Sequence, residues 1–405
     1  MKNLMIIGAS GHLSNAVLHS LIHHRKLFKS FVLVDKNKKL LQNPYINHKE
    51  LKYVFIHNKI NPEKIEENYK DILRKYKINI VIDLTDAETI PLIETTDKEG
   101  VDYINTAINS EKETIYELMQ KIFNRRKEFT HARHILCTGM NPGVVNMWVR
   151  YGIEKFGIPQ EIVHFEYDTS IFSKKIKSMV TWSIHEFLVE SVKDPGGLMK
   201  GKNKEQKLYP NAIEQMVDME PILKPILKLK KYPYGSEVLH EENVSISEKY
   251  NVPSKFIYSV NDITMQFLRQ VYKNKKNVLR KDLTLGDNLK YTLDGADSIG
   301  VYLDYKDKRV YYFNTIPNIS VIGTSATYLQ VSVGVFAALF TLLNNKLSKG
   351  IYFVEDLFHT SFKHYVFDNM RVQEFIFKKK DGKLKLTSYT PMIKLREPIT
   401  SRLYI

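Results

Sequence analysis

The sequence predicts an α/β protein: a Rossmann-type, doubly wound parallel sheet followed by a second, β-rich α+β domain. Three observations carry this reading. Short apolar runs alternate with helix-patterned stretches through residues 1–158. A glycine-bearing turn, "IIGASGHLS", closes the first run and opens a helix. From about Gln160 the runs become β-branched and aromatic, with no regular helices read between them. The expected divisions are 1–158, 159–318 and 319–405, the last holding a helix that returns to the first domain and the C-terminal segment.

In chain order, "LMIIGAS" is an apolar strand, and Leu13, Val17, Leu18 and Leu21 then recur at helical spacing. "SFVLVDKN", "YVFIH" and "INIVIDLTD" are three further strands, with the helix-favouring "PEKIEENYKDILRKY" between the last two. "VDYINTA" and "HILCTGMNPG" complete the first sheet. "CTGMNPGVVNMW" reads as strand, turn and helix, with Pro142 as first helical residue and Asn141 as N-cap. In the second domain "EIVHFEYDTS", "EVLHEENVSIS", "KFIYSV", "GVYLDY" and "RVYYFNT" read as strands of a mostly antiparallel sheet. "KDPGGLMKGKNKEQ" reads as a mobile loop. Residues 319–345 carry no charge, but only Val331 to Leu343 is densely apolar, so a buried helix is expected rather than a membrane span.

Composition narrows the function classes. Lys and Arg number 60 against 45 Asp and Glu, a formal charge of +15. The basic runs "KLKK" (228–231) and "KNKK" (273–276) are short and lack interleaved aromatics, which argues for a solvated lysine-rich face and against a nucleic-acid partner. One cysteine, Cys137, excludes an internal disulfide, and the N-terminus lacks the pattern of a signal peptide. A cytoplasmic protein without a membrane or metal partner is expected.

The turn after the first strand suits a dinucleotide. Gly8 and Gly11 let the backbone approach a pyrophosphate, and Ser10, His12 and Leu13 lie at the helix N-terminus, where N–H groups and the dipole favour an anion. Ser14 stands where a third glycine is usual. Asp35 ends the second strand at the position of a ribose-binding acid, so NAD is expected over NADP. Thr85 and Asp86 follow the fourth strand, and with Asn141 they belong to the crevice at the carboxyl ends of the strands.

The second domain collects acids. Read as a strand, 237–247 places His240 and Glu242 on the apolar face with Val238, Val244 and Ile246. In "FEYDTS", Glu166 and Asp168 share the face opposite Phe165 and Tyr167, while Asp294 and Asp297 precede another strand. Buried carboxylates need a cation, either internal lysines or a ligand. Trp182, one of two tryptophans, lies between these stretches, and an indole face with carboxylates suits an alkylammonium.

Together these stretches resemble the bacterial homospermidine synthases, within the saccharopine-dehydrogenase-like group. The resemblance is carried by "TGMNPGVVNMWV", "EYDTS" with "TWSIHEF", "VLHEENVSIS", "GADSIGVYL" and "TSATYLQVSVGVFAALFTLLNN", in the same order over most of the chain. It implies an NAD enzyme and homodimer acting on diamines such as putrescine. Trp182 would be the cation–π partner, Glu166, His240, Glu242 and Asp297 the amine-binding and proton-handling groups, and Asn141 a residue at the nicotinamide end. The chain departs from the family at "GASGHLS", at Asn109 where an acid is usual, and at His240-Glu241-Glu242 in place of His-Asn-Glu. A saccharopine- or carboxyspermidine-type reductive-amination dehydrogenase and a nucleotide-sensing homologue without catalysis are the alternatives.

Overall fold

The computed structural model describes residues 1–60, 66–174, 177–214, 216–274, 280–289 and 291–392. Residues 62–65 of the charged helix-favouring stretch and 275–276 of "KNKK" lie outside the described residues. The first domain contains β1 (Lys2–Ile7), β2 (Phe28–Asp35), β3 (Tyr53–His57), β4 (Ile80–Asp83), β5 (Asp102–Asn105) and β6 (Arg133–Ile135). Between and after them run α1 (His12–His24), α2 (Asp71–Lys75), α3 (Thr89–Lys98), α4 (Ile115–Arg125) and α5 (Val144–Phe156). The strands lie in the order β3-β2-β1-β4-β5-β6, all parallel. This order reverses between β1 and β4, which puts a ligand crevice outside their carboxyl ends. β1, β4 and β5 are buried on both faces, whereas the edge strand β3 is half-exposed. Leu4 and Ile6 enter the core shared with α1 and α5, while Met5 and Ile7 enter the core shared with α3 and α4.

The second domain runs through β7 (Glu161–Asp168), β8 (Ile171–Phe172), β9 (Met179–Val180), β10 (Gly196–Met199), β11 (Glu205–Tyr209), β12 (Met216–Asp218), β13 (Tyr234–Val238) and β14 (Ser254–Ser259). It continues through β15 (Thr284–Leu285), β16 (Leu293–Asp294), β17 (Ala296–Asp304) and β18 (Lys308–Pro317). Its helices are α6 (Ile184–Leu188), α7 (Glu220–Leu223), α8 (Glu241–Tyr250) and α9 (Asp262–Lys273). The chain ends with α10 (Ala326–Asn344), β19 (Gly350–Tyr352), α11 (Ser361–Asn369), β20 (Gln373–Lys380) and β21 (Lys383–Pro391). The large sheet has the order β11-β10-β14-β7-β17-β18-β20-β21, with β13 and β12 branching from β14. Only β14 and β7 pair in parallel. β19 joins the first sheet beside β6, whereas β20 and β21 return to the second.

α10 ties the two sheets together. Ser325 caps it by accepting from the Tyr328 N–H at 3.2 Å. By length and composition the helix would cross a membrane, but 83% of its apolar window is buried inside the protein, the pattern of a core helix. It approaches the first domain so closely that a Cβ at Gly334 would lie 2.0 Å from the Thr138 carbonyl oxygen.

Four expectations are corrected. Residues 237–247 are not one strand: β13 ends at Val238, and α8 begins at Glu241 with His240 as N-cap. Residues 241–247 are buried all round, so the helix shows no polar face to reveal its period. "GGLM" and "EQKLY" form a hairpin, β10 with β11, whose connection turns at Gly201 and Asn203 in positive φ. Asn141 does not cap α5. Gly143 is the N-cap, and its N–H donates to the Asn146 side chain at 3.0 Å, which starts the helix at Val144 instead of Pro142. Helices α8 and α9 also lie between strands expected to follow one another without helices; α8 shows no apolar stripe, whereas α9 is capped by Asn261 and buries Thr264, Met265 and Leu268 on one face.

Gly334→Ala should destabilise the protein by about 1–3 kcal/mol, because the obstacle is backbone and cannot rotate away. An unchanged urea midpoint would show that α10 can move off β6.

Candidate active site

The dinucleotide side is built on the turn from β1 into α1. Gly8 adopts φ +79°, and a Cβ there would lie 2.8 Å from the Leu84 carbonyl, so only glycine lets β1 and the β4 turn meet. Gly11 supplies no side-chain cap to α1, and the buried Ser14 Oγ and Asn15 Nδ2 have no hydrogen-bond partner. Free donors around a glycine cradle at a helix N-terminus fit a pyrophosphate. Asp35, buried at the end of β2, accepts the Ser10 N–H at 2.8 Å and the Asn37 N–H at 2.7 Å, which fixes the turn. Leu13 packs into the core below. Thr85 is anchored by two hydrogen bonds to one oxygen of Asp83, while the Tyr103 hydroxyl donates to the other at 2.7 Å. Burial pushes the Asp83 carboxyl up to about 6, against the hydrogen bonds from Thr85 and Tyr103. Asp86 is exposed at the rim. Asn109 donates its backbone N–H to Thr89 Oγ1 at 2.8 Å.

The acid side is set by sheet register. Asp168 and Asp297 are direct partners across β7 and β17, and Glu166 lies two residues along β7 on the same face. All three carboxyls are at least 97% buried. The Asn141 amide donates to Glu166 Oε2 at 2.7 Å, leaving Oε1 without a partner. Asp168 accepts from the Ser170 N–H at 2.8 Å and the Thr181 hydroxyl at 2.6 Å. Neither oxygen of Asp297 completes a hydrogen bond in good geometry, although the Thr327 hydroxyl and the Ser298 backbone oppose its shift. Burial, then mutual repulsion with the neighbouring acids, holds Glu166 and Asp297 well above the usual carboxylate range. Burial raises Asp168 as well. Among the described residues, no lysine or arginine pairs with any of the three or shifts its titration.

β14 lies beside β7 and places Tyr258 opposite Glu166. The Trp182 indole N–H donates to the Tyr258 hydroxyl at 2.9 Å, and Trp182 remains half-buried, so part of its ring is not consumed by the core. Tyr258 stacks on Phe256, which contacts the His240 ring at 5.3 Å between centroids. His240 and Glu242 pair at the α8 N-terminus through Nδ1 and Oε2, with Glu241 and Glu190 also within ion-pair distance of the ring. Burial opposes a charge on His240, but Glu242, Glu241 and Glu190 outweigh it and raise its pKa well above the ordinary value. Glu242 is lowered in return: burial pushes it up and the nearby His240 pulls it down further.

The expected residues therefore fall into linked groups. Asn141 bonds Glu166, Asp297 shares its face of the sheet through Asp168, Trp182 joins through Tyr258, and His240 with Glu242 forms an ion pair. Asp294 does not join; it is exposed and accepts the Gly295 N–H. Asp297 lies within β17, not before it. Sequence reading missed Glu186 and Glu190. Glu186, on α6, is raised to about 7 by burial and then by Glu190, Asp86, Glu241 and Asp194. Its only local signal is the run of acids after Trp182. His164 was also missed: it is wholly buried two residues before Glu166, both ring nitrogens lack partners, and burial lowers it to about 4.

With this geometry in hand, residues 4–137 match the family described as the saccharopine dehydrogenase NADP binding domain. They form an NAD(P)-binding domain. Similar solved structures include the homospermidine synthase of Legionella pneumophila in complex with NAD. It is 16% identical, with 91% of this chain and 88% of that chain covered and a TM-score of 0.73. The apo saccharopine dehydrogenase (L-Glu forming) of Saccharomyces cerevisiae is 9% identical, covers 93% and 100%, and has a TM-score of 0.60. At such identities the likeness is one of fold: a parallel dinucleotide-binding sheet with a separate mixed sheet. No curated protein matches the chain.

Raised carboxyls make stability depend on pH. The unfolded chain ionises Glu186 near its ordinary value, whereas the folded protein keeps the proton until about 7. The folded state then binds more protons, so stability falls as pH rises through that window. Glu186→Gln should remove a penalty on the order of 1–3 kcal/mol at about pH 8 and little at about pH 5. Melting temperatures of both proteins across that range check it; parallel curves would contradict it.

Proposed function

We propose that the protein is an NAD-dependent, homospermidine-synthase-like enzyme acting on diamines such as putrescine. One observation carries the reading: Glu166, Asp168 and Asp297 are buried side by side without a lysine or arginine among the described residues, and Asn141 from the dinucleotide side bonds one of them. Leaving such a group unpaired is expensive, and an alkylammonium supplies both the charge and the N–H donors it lacks. The half-buried face of Trp182 adds a cation–π surface.

Bound NAD supplies the hydride acceptor and later the hydride donor. In the proposed reaction a primary amine carbon is oxidised to an imine, a second diamine adds, ammonia leaves, and the new imine is reduced to a secondary amine. The overall change has no net oxidation. The protein must first take a proton from the bound ammonium, because hydride leaves only from the neutral amine. Glu166 and Asp297 suit that task, since burial raises their basicity towards that of an amine. His240 does not, because its acidic neighbours hold it as an imidazolium, which suits it to protonate departing ammonia. Asp35, at the end of β2, favours NAD because a carboxylate there repels a 2′-phosphate.

A reductive-amination dehydrogenase of the saccharopine or carboxyspermidine type needs a cationic clamp for the substrate carboxylate. The acid-lined face offers repulsion instead.

Putrescine deuterated at its terminal carbons should return one deuterium to the secondary amine product, with free NADH near zero throughout. NADH accumulating with an aldehyde would mark an ordinary amine dehydrogenase. Trp182→Ala should weaken the interaction with amine by about 0.5–2 kcal/mol. Wild-type amine affinity and turnover in that variant would make Trp182 a core residue alone.

A further inference from the structure

The dinucleotide turn is touched by the second domain at one charged point. His12, the first residue of α1, has Nδ1 2.9 Å from Asp287 Oδ2, and its ring stacks on Tyr328 of α10 at 6.3 Å between centroids. Asp287 is 93% buried, and its other oxygen accepts the Leu289 N–H at 2.8 Å, so the carboxylate is fixed where it stands. A carboxylate aimed at the N-terminus of a dinucleotide-binding helix opposes an incoming pyrophosphate unless the imidazole lies between them. With Nδ1 facing Asp287, Nε2 is the ring nitrogen turned away from that carboxylate.

Asp287 is also joined to the acid pocket by a short covalent and hydrogen-bonded route. It follows β15, which pairs in parallel with β9, and the Gly286 N–H donates to the Val180 carbonyl at 2.7 Å. A Cβ at Gly286 would lie 3.4 Å from the Val180 carbonyl oxygen, so the backbones are in ordinary van der Waals contact there. The residues after Val180 are Thr181, whose hydroxyl holds Asp168 and meets Thr327 at 2.8 Å, and Trp182. Asp287 is thus separated by only a few residues, across the β15–β9 pairing, from Thr181 and the buried acid it holds.

We propose that Asp287 is a positioning residue which orients His12 for the dinucleotide and carries dinucleotide occupancy to the Thr181–Trp182 edge of the acid pocket. Only the destination of this coupling rests on the amine reading, and dinucleotide alone tests it. Hydrogen–deuterium exchange of the full chain with and without saturating NAD is the measurement. In the wild type NAD should slow exchange at residues 8–14, at 284–289 and at 179–182. In Asp287→Asn the slowing should persist at 8–14 and vanish at 179–182, and the Kd for NAD should rise about fivefold or more, the lower range of allosteric couplings. Asp287→Glu should restore part of both. A merely structural Asp287 would change exchange equally with and without NAD. If Asp287→Asn does not fold, His12→Asn breaks the same pair from the other side and should give the same pattern at saturating NAD. Slowing confined to the first domain in the wild type, or slowing at 179–182 that survives in the variant, would overturn the proposal. Failure of the amine reading would appear instead as absence of diamine turnover and would leave this result standing.

Discussion

Three carboxyl groups with no lysine or arginine partner among the described residues, held together on one face of a sheet, are the constraint around which the second domain is arranged. Desolvating one carboxylate is costly, and desolvating neighbours adds their repulsion. The free protein answers by keeping protons on Glu166 and Asp297, and a cation would release them. The chain's formal charge is +15, yet these three acids are gathered in its interior. Asp304 and Glu374, on the same sheet, are paired with Lys379, Arg309 and Lys155, whereas among the described residues the three acids have no such partner.

The rest of the architecture serves to hold that face against the dinucleotide crevice. Register between β7 and β17 brings Asp168 to Asp297, and the single parallel pairing in the sheet, β14 with β7, brings Tyr258 to Glu166. α5 crosses between the domains so closely that Gly152 has the Leu303 side chain 2.7 Å from its would-be Cβ. The loop before α5 presents Asn141 to Glu166. α10 closes the other side, with Thr327 beside Asp297 and Gly334 on the backbone of Thr138 and Gly139. The contact at Gly334 is with backbone and tolerates no added atom, which fixes α10 against the 138–139 segment.

Much of this was legible in sequence because the signals are local. The β1 turn, Asp35, and the alternation of Glu166 with Asp168 follow from glycine conformation and from the period of a strand. The α8 region was not legible, because a helix buried on every side has no amphipathic stripe; its Ser, Asn and Glu residues mimic a half-buried strand. The β10–β11 hairpin was hidden by glycines and lysines that, in a loop, would carry no pattern either. Tyr258, Glu190, Glu186 and Asp287 escaped notice for a different reason. Nothing local marks their place at the site, and only topology shows that β14 lies beside β7 or that β15 lies beside β9.

The central claim is that the buried carboxyls give up protons to bind an ammonium. Calorimetric titration of putrescine into the NADH-bound protein, which cannot oxidise the amine, near neutral pH and in buffers of different ionisation enthalpy, measures this directly. The account predicts that the apparent binding heat varies with buffer enthalpy in the sense of net proton release from the protein–ligand system. Binding heats independent of buffer, or no binding of putrescine at all, would contradict it.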